Sequence, residues 1–254
     1  MCLIALAHRV HPDFPLVVAA NRDELYARPT APAAFWDDVP GIFAGRDLEC
    51  MGTWLGVTRS GRFAAVTNYR DPADSQARNQ SRGLLVSRFL AGDMGAGEFV
   101  AQVDARRDEY RGFNLLASDG TDLFSYSNRS AQARCLGPGI YGLSNHLLDT
   151  PWPKVRAARE RLAAALAPAP AVEPLFALLA DTDMATDDEL PHTGVGAERE
   201  KLLSAARIVA SAYGTRCSTV VLRGSDGTMQ FAERGFGPGG VELPTVRCEF
   251  RLAA

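Results

Sequence analysis

MCLIALAHRV, residues Met1 to Val10, and LVVAANRDELYARP, residues Leu16 to Pro29, are the stretches on which the fold turns. Each opens with an apolar run of strand length and then becomes polar, so the pair reads as two strands joined by a turn. A cysteine stands directly behind the initiator methionine, and it has two readings. As a small hydrophobe, Cys2 is the first inward residue of an edge strand, because free cysteine is among the most buried residue types. As a nucleophile, Cys2 would carry its own α-amine beside its thiol once Met1 is removed, and such an amine can act as the activating base.

Outward from this pair the chain continues in blocks. GIFAGRD from Gly41 and TWLGVTRSGRFAAVTNYR from Thr53 add strands, the latter turning at Ser60-Gly61. From Ser81 the spacing of apolar residues becomes helical, in SRGLLVSRFL and GEFVAQVDARR. Strands return in GFNLLASDGTDLFSYSN, which turns at Asp119-Gly120, and CLGPGIYGLSN from Cys135 reads as one further extended segment. PWPKVRAARERLAAAL from Pro151, EPLFALLAD from Glu173 and EREKLLSAARIVASAY from Glu198 read as helices. Loops lie around Pro168 and from Asp181 to Gly196, the second suited to act as a lid. STVVLRGSDGTMQFAERGF turns at Asp226-Gly227, and VRCEFRL closes the chain as a strand. This block order predicts an α+β fold, one domain over residues 1–254, with antiparallel sheets and segregated helices. GPGIYG from Gly137 and GFGPGG from Gly235 match a dinucleotide-binding pattern, but each leads into extended sequence, so no helix N-terminus is there to receive a pyrophosphate.

Composition excludes several function classes. A net charge of −3 gives no broad attraction to nucleic acid or anionic lipid, and no run is long enough to span a membrane. The five cysteines, Cys2, Cys50, Cys135, Cys217 and Cys248, are odd in number and widely spaced, which fits neither a disulfide framework nor a zinc ribbon. The opening run has no basic segment before it and breaks at His8-Arg9, unlike a signal peptide, so the expected compartment is the cytoplasm. The sequons at Asn79 and Asn128 then carry no meaning.

Cys2 followed by NRDE at Asn21 to Glu24, GTWLG from Gly52, GRFAAVTN ending at Asn68, GLSNHLLDTPWPKV from Gly142 and TRCSTV from Thr215 resemble the NRDE family, also called the transport and Golgi organisation protein 2 family. The likeness extends over almost the whole chain. It implies a four-layer αββα sandwich of the N-terminal nucleophile hydrolase type, two antiparallel sheets flanked by helices. A more distant resemblance joins Cys2, the Asn-Arg-Asp strand end, the hairpin from Gly56 to Asn68-Tyr69 and Leu143-Ser144-Asn145 to the cysteine N-terminal nucleophile hydrolases, such as bile salt hydrolase and penicillin V acylase.

That resemblance implies roles, each with a chemical reason. Cys2 would be the nucleophile and its freed amine the base, and Asp23 would hold that amine. Asn68 and Asn145 would donate side-chain N–H groups to the oxyanion, and Arg216, with Arg22, would hold the thiolate by lowering its pKa. Asn21, Arg22, Trp54 and Tyr69 are expected to line the ligand site. One departure stands out: the hydrolases carry an arginine three residues before the aspartate, where this chain has Ala20, and Arg22 lies directly before Asp23. A change of strand parity sends a side chain to the other face, which would turn Arg22 away from Cys2 and leave Asn21 and Asp23 as the inward pair.

Two functions are therefore expected as alternatives. The first is an amidohydrolase cleaving a small or acyl-bearing amide through Cys2, with no cofactor. The second, implied by the family resemblance, is an intracellular carrier of heme or of acyl-CoA and lipid. Heme would use His8, His11, His146, His192 or a cysteine as axial ligand, although none of these forms a heme motif.

Overall fold

The computed structural model describes residues 2–74, 78, 80–167 and 169–253; the readings that fall on Met1, Asn79 and Pro168 lie outside the described residues. The chain runs through β1 (Cys2–His8), β2 (Leu16–Leu25), β3 (Thr30–Phe35), β4 (Ile42–Asp47), β5 (Leu55–Thr58) and β6 (Phe63–Asn68). Two helices follow, α1 (Gly83–Ala91) and α2 (Ala96–Ala105), and then β7 (Phe113–Ser118), β8 (Leu123–Ser127), β9 (Gln132–Cys135) and β10 (Gly139–Leu143). Helices α3 (Pro153–Leu166), α4 (Val172–Leu179) and α5 (Ala197–Leu202) lead to β11 (Tyr213–Arg223), β12 (Thr228–Phe236) and β13 (Glu242–Arg251).

The strands form two antiparallel sheets, one ordered β10-β1-β2-β11-β12-β13 and the other β3-β4-β5-β6-β7-β8-β9. Alternation along β1 and β2 explains their unbroken apolar runs. Ile4, Leu6, Val18 and Ala20 point between the sheets, where they meet Phe43, Leu55, Phe63 and Leu116. Leu3, Ala5, Val17 and Ala19 point the opposite way, onto Val155 and Leu162 of α3 and Leu175 and Leu179 of α4. The second sheet turns Ile42, Ala64 and Leu115 outward onto Leu85, Phe89 and Val100 of α1 and α2. With both faces of each sheet covered, the layers stack helix, sheet, sheet, helix, as the family resemblance implies.

The hairpins at Ser60-Gly61, Asp119-Gly120 and Asp226-Gly227 stand where they are expected, with each glycine at positive φ. Four expectations change. Cys2 does not head an edge strand, because β10 covers the flank of β1 through Ile4 opposite Leu143 and its successors. CLGPGIYGLSN is not one extended segment: Cys135 ends β9 in one sheet, and Gly139 begins β10 in the other. The helix expected from Glu198 to Tyr213 stops at Leu202. Its apolar residues Leu203, Ala205, Ala206 and Ile208 are buried, but tertiary partners take the backbone groups a helix would use. The Arg207 N–H donates to Asp181 C=O at 2.7 Å and the Ile208 N–H to Thr215 Oγ1 at 2.9 Å. Finally, β3 is a strand that composition conceals: it is an edge, and its pairing with β4 slips between Ala31 and Ala34, where Pro32 is tolerated.

Candidate active site

At one end of the sandwich the start of β1, the end of β2, the approach to β5 and the end of β6 converge on a cavity of about 130 Å³. Cys2, Arg22, Asp23, Trp54, Asn68 and Arg82 line it. The Cys2 thiol is buried, and burial pushes its pKa up; Asp23 adds to the rise, while Arg22 and the Asp23 backbone N–H oppose it. A thiol in this state needs a base before it can act as a nucleophile.

Asp23 is 1% exposed and accepts a 2.7 Å hydrogen bond from Thr215 Oγ1, on the strand paired with it. Burial raises its carboxyl above the ordinary range, and Lys154 is the foremost of the charges that pull it back. Lys154 comes from the first turn of α3, just after Trp152 and Pro153, and is buried; among the described residues its Nζ has no hydrogen-bond partner. Desolvation takes its ammonium down to about 8, and Asp23 is the main charge resisting that fall.

The two asparagines have different duties. Asn145 is wholly buried, and its Nδ2 donates to both the C=O and the Oδ1 of Asn68, at 2.9 and 3.1 Å. Both amide hydrogens of Asn145 are thereby engaged, so it stands behind Asn68 and does not present a donor of its own to the cavity. Asn68 lines the cavity, and with its oxygens engaged its Nδ2 is the group left to donate. Ser144 Oγ ties this turn to the nucleophile's strand by donating to Cys2 C=O at 2.8 Å. Thr67 Oγ1 in turn donates to Ser144 C=O at 2.6 Å, which joins the two sheets next to the cavity.

Arg22 faces Cys2 after all. The two are cross-strand partners in the β1–β2 ladder and so share a face of the sheet. The Arg22 guanidinium lies over the Trp54 ring, 4.3 Å from its centroid. The same ring packs against Gly45, where a Cβ would come within 2.3 Å of it, so glycine is required there for Trp54 to keep its place.

Three sequence expectations fail on placement. Asn21 faces the helix layer, with Nδ2 donating to Leu179 and Ala206 C=O and Oδ1 accepting from Ser218, so it cannot line the cavity. Arg216 sits where the β2–β11 register slips, and its Nη1 caps the Leu25, Tyr26 and Arg28 carbonyls instead of reaching Cys2. The bulge takes its side chain out of the alternation that the sequence argument assumed. Tyr69 lies in the neighbouring depression with Arg70 and Arg199, its ring 4.9 Å from that of His146. Cys2, Asp23, Asn68, Arg22 and Trp54 do come together, with Asn145 directly behind.

Arg82 escaped the sequence reading, and Lys154, Thr215 and Ser144, though within its motifs, were given no role by it. One signal was available for Lys154: it shares the buried stripe of α3 with Val155, Ala158 and Leu162, where an unpaired lysine is out of place. Arg82, directly before α1, projects into the same cavity, and its Nη1 donates to Gly112 C=O at 3.1 Å.

Comparison with known proteins agrees with this architecture. A family model described as Transport and Golgi organisation 2 matches residues 1–238. The Transport and Golgi organization protein 2 homolog of Bos taurus is 35% identical over 99% of both chains, and that of Homo sapiens is 36% identical over 92% of both. The Drosophila melanogaster protein of that name is 28% identical over 92% of this chain and 91% of its own. Among solved structures, the Caenorhabditis elegans N-acylethanolamine-hydrolyzing acid amidase ortholog superposes with a TM-score of 0.51 at 10% identity, covering 87% of this chain and 92% of that one. The fold is thus of the N-terminal nucleophile hydrolase type. Among the described residues no helix is long and apolar enough to cross a membrane.

Proposed function

This chain belongs to the Transport and Golgi organisation 2 family, and from that premise and the cavity at Cys2 we propose that it is a cysteine amidohydrolase acting on a small or acyl-bearing amide. One observation carries the reading: Cys2, heading β1, opens on the same cavity as Asn68 from the opposite sheet, so nucleophile and oxyanion donor are held by two different layers.

Removal of Met1 would leave the Cys2 amine beside its own thiol. The amine takes the thiol proton, and the thiolate attacks the amide carbonyl carbon. Asn68 Nδ2 stabilises the resulting oxyanion, oriented by Asn145. The tetrahedral species collapses with cleavage of the C–N bond; the leaving nitrogen takes the proton from the ammonium and departs as amine, leaving a thioester on Cys2. Water, deprotonated by the same amine, attacks the thioester; the carboxylic acid leaves and the proton returns to sulfur. Asp23, supported by Thr215 and Lys154, keeps the amine in place through this cycle.

The names of the relatives speak of transport, so carriage without cleavage is the competing outcome. Acyl-CoA and heme are its ligands in that case. Of the cavity lining, Cys2 would be the sulfur donor to hold a heme iron, and the cavity, at about 130 Å³, would have to widen to take the macrocycle. The test incubates wild type and Cys2→Ala with N-acyl amides, acyl-CoA esters and heme, following product by mass spectrometry and binding by calorimetry. Wild type should release acid and amine and show a transient acyl adduct on Cys2, whereas Cys2→Ala should bind with little change and release nothing. Tight binding by wild type without product, lost in Cys2→Ala, would establish carriage instead.

A further inference from the structure

The depression beside the Cys2 cavity, where Tyr69 stands, has a volume of about 520 Å³. Glu24, Asn68 and Arg82 line both spaces. Each of the three is only half-buried, and among the described residues none bonds to another: Glu24 Oε1 accepts from the Leu25 N–H, Asn68 Oδ1 accepts from Asn145, and Arg82 Nη1 donates to Gly112 C=O. They form a rim around a shared opening, and the oxyanion donor Asn68 stands on it. A substrate whose amide lies between Cys2 and Asn68 has room to extend past this rim into the larger space.

The charges around the larger space do not balance. Four arginines line it, Arg70, Arg82, Arg111 and Arg199, with three acids, Glu24, Asp71 and Asp74. Two of the acids are taken from outside: Arg129, which is not part of the lining, meets Asp74 at 2.5 Å and Asp71 at 3.4 Å, and Asp74 also accepts from the Gly112 N–H at 2.7 Å. One arginine is taken likewise, because Arg70 pairs with the buried Glu200. Arg111 spends its guanidinium on the Asp74 carbonyl and Arg82 spends one N–H on that of Gly112, so neither charge is met by a carboxylate at ion-pair distance. Arg199 likewise has no ion pair among the described residues. Three guanidiniums thus face the space against the single acid Glu24. Burial disfavours the Arg82 cation and Arg111 adds repulsion, and a bound anion would offset both. We propose that this space is an anion subsite of the Cys2 site, in which Arg82, Arg111 and Arg199 hold a carboxylate carried by the amide substrate on the half that extends past Asn68. A guanidinium matches a carboxylate in charge and in planar two-point geometry. Glu24 on the rim repels a dianionic phosphate more than a singly charged carboxylate.

The inference rests on the amidohydrolase reading for the position of the amide, so its test measures binding without chemistry. Cys2→Ala protein is titrated calorimetrically with two matched pairs, N-butanoylglycine against N-butanoylglycinamide and glutaramic acid against glutaramide. The first pair places the carboxylate on the amine half of the amide and the second on the acyl half. In at least one pair the acid should bind about tenfold or more tightly than its neutral partner, and added salt should narrow the difference. Adding Arg199→Gln, at an exposed position whose side chain has no bond to lose among the described residues, should cut the preference by about threefold or more. Adding Arg82→Gln should abolish most of it, with folding checked by circular dichroism. Equal binding of acid and neutral amide in both pairs, no binding, a preference that neither substitution changes, or inorganic phosphate competing more strongly than acetate overturns the proposal. Turnover by wild type is scored separately. An acid bound through Arg82 yet never cleaved would sink the hydrolase reading and leave the subsite standing, whereas acidic and neutral amides cleaved alike would do the reverse.

Discussion

At Cys2 the governing fact is burial, which raises the thiol and the Asp23 carboxyl together and leaves Lys154 as the buried positive charge opposing the carboxyl's rise. Lys154→Met keeps the length of the side chain and removes the charge. Asp23 should then protonate more readily, and the acidic limb of the pH dependence of Cys2 acylation should move to higher pH, while an inert packing role for Lys154 would leave that limb in place. Stability gives the matching sign. The ammonium titrates near 8 in the fold against an ordinary 10.5, so between those values the unfolded chain binds more protons and stability rises with pH, by up to about 3 kcal/mol. Urea unfolding at pH 7 and pH 10 should show this rise in wild type, and the difference between wild type and Lys154→Met isolates it from other titrating groups. The asparagines divide similarly. Asn68→Ala removes the oxyanion donor and should lower kcat by about a hundredfold or more. Asn145→Ala removes the group that orients it, with a smaller loss expected in kcat and little change in KM.

Among the elements, α5 and the segment before it matter most to the site. Glu200 of α5 is buried; it bonds Arg70 at 2.5 Å and accepts from the Thr193 N–H at 2.8 Å. Arg70 in turn stacks over Trp152, 4.5 Å from the ring centroid, and donates its backbone N–H to Asn145 C=O at 2.7 Å. One ion pair therefore fastens the polar stretch from Asp181 to Gly196 to the turn that holds Asn145. Glu200→Ala leaves Arg70 charged and buried without this partner, and should cost about 3–5 kcal/mol in urea unfolding. Hydrogen exchange should rise across residues 186–200 in that variant; an unchanged pattern would mean that the pair does not hold the segment. This element also marks the limit of sequence reading. Helices α1 to α4 were legible because an amphipathic stripe and their packing agree, and the hairpins because a glycine must supply positive φ. Residues 203–212 have helical composition but non-helical structure, because Asn21, Asp181 and Thr215, distant in sequence, claim their backbone groups. Arg216 was misplaced for a related reason: a bulge leaves little mark in sequence, yet it reverses the parity on which a side-chain assignment depends.

At the scale of the molecule, the site exists only where the two sheets are held in register, since Cys2 and Asp23 belong to one and Asn68 to the other. Much of that registration comes from aromatic contacts away from the site. Phe231 of β12 meets Phe43 of β4 edge-on with centroids 5.1 Å apart, and Phe43 meets Phe35 of β3 at 4.9 Å. Phe231 is 1% exposed, so Phe231→Ala removes a ring that the close-packed interior cannot refill and should destabilise the protein by about 3–5 kcal/mol. Because the layer it belongs to is shared by both sheets, the loss should fall on the whole sandwich. Trp36 reports on the layer of α1 and α2, and Trp152 on the layer of α3 and α4. Variants retaining only one of these tryptophans should show urea transitions that coincide with each other and with circular dichroism, and Phe231→Ala should shift all of them by the same amount. If the Trp152 transition moved while that of Trp36 stayed in place, each sheet would be folding with its own helices, and the inter-sheet core could not be what aligns Cys2 with Asn68.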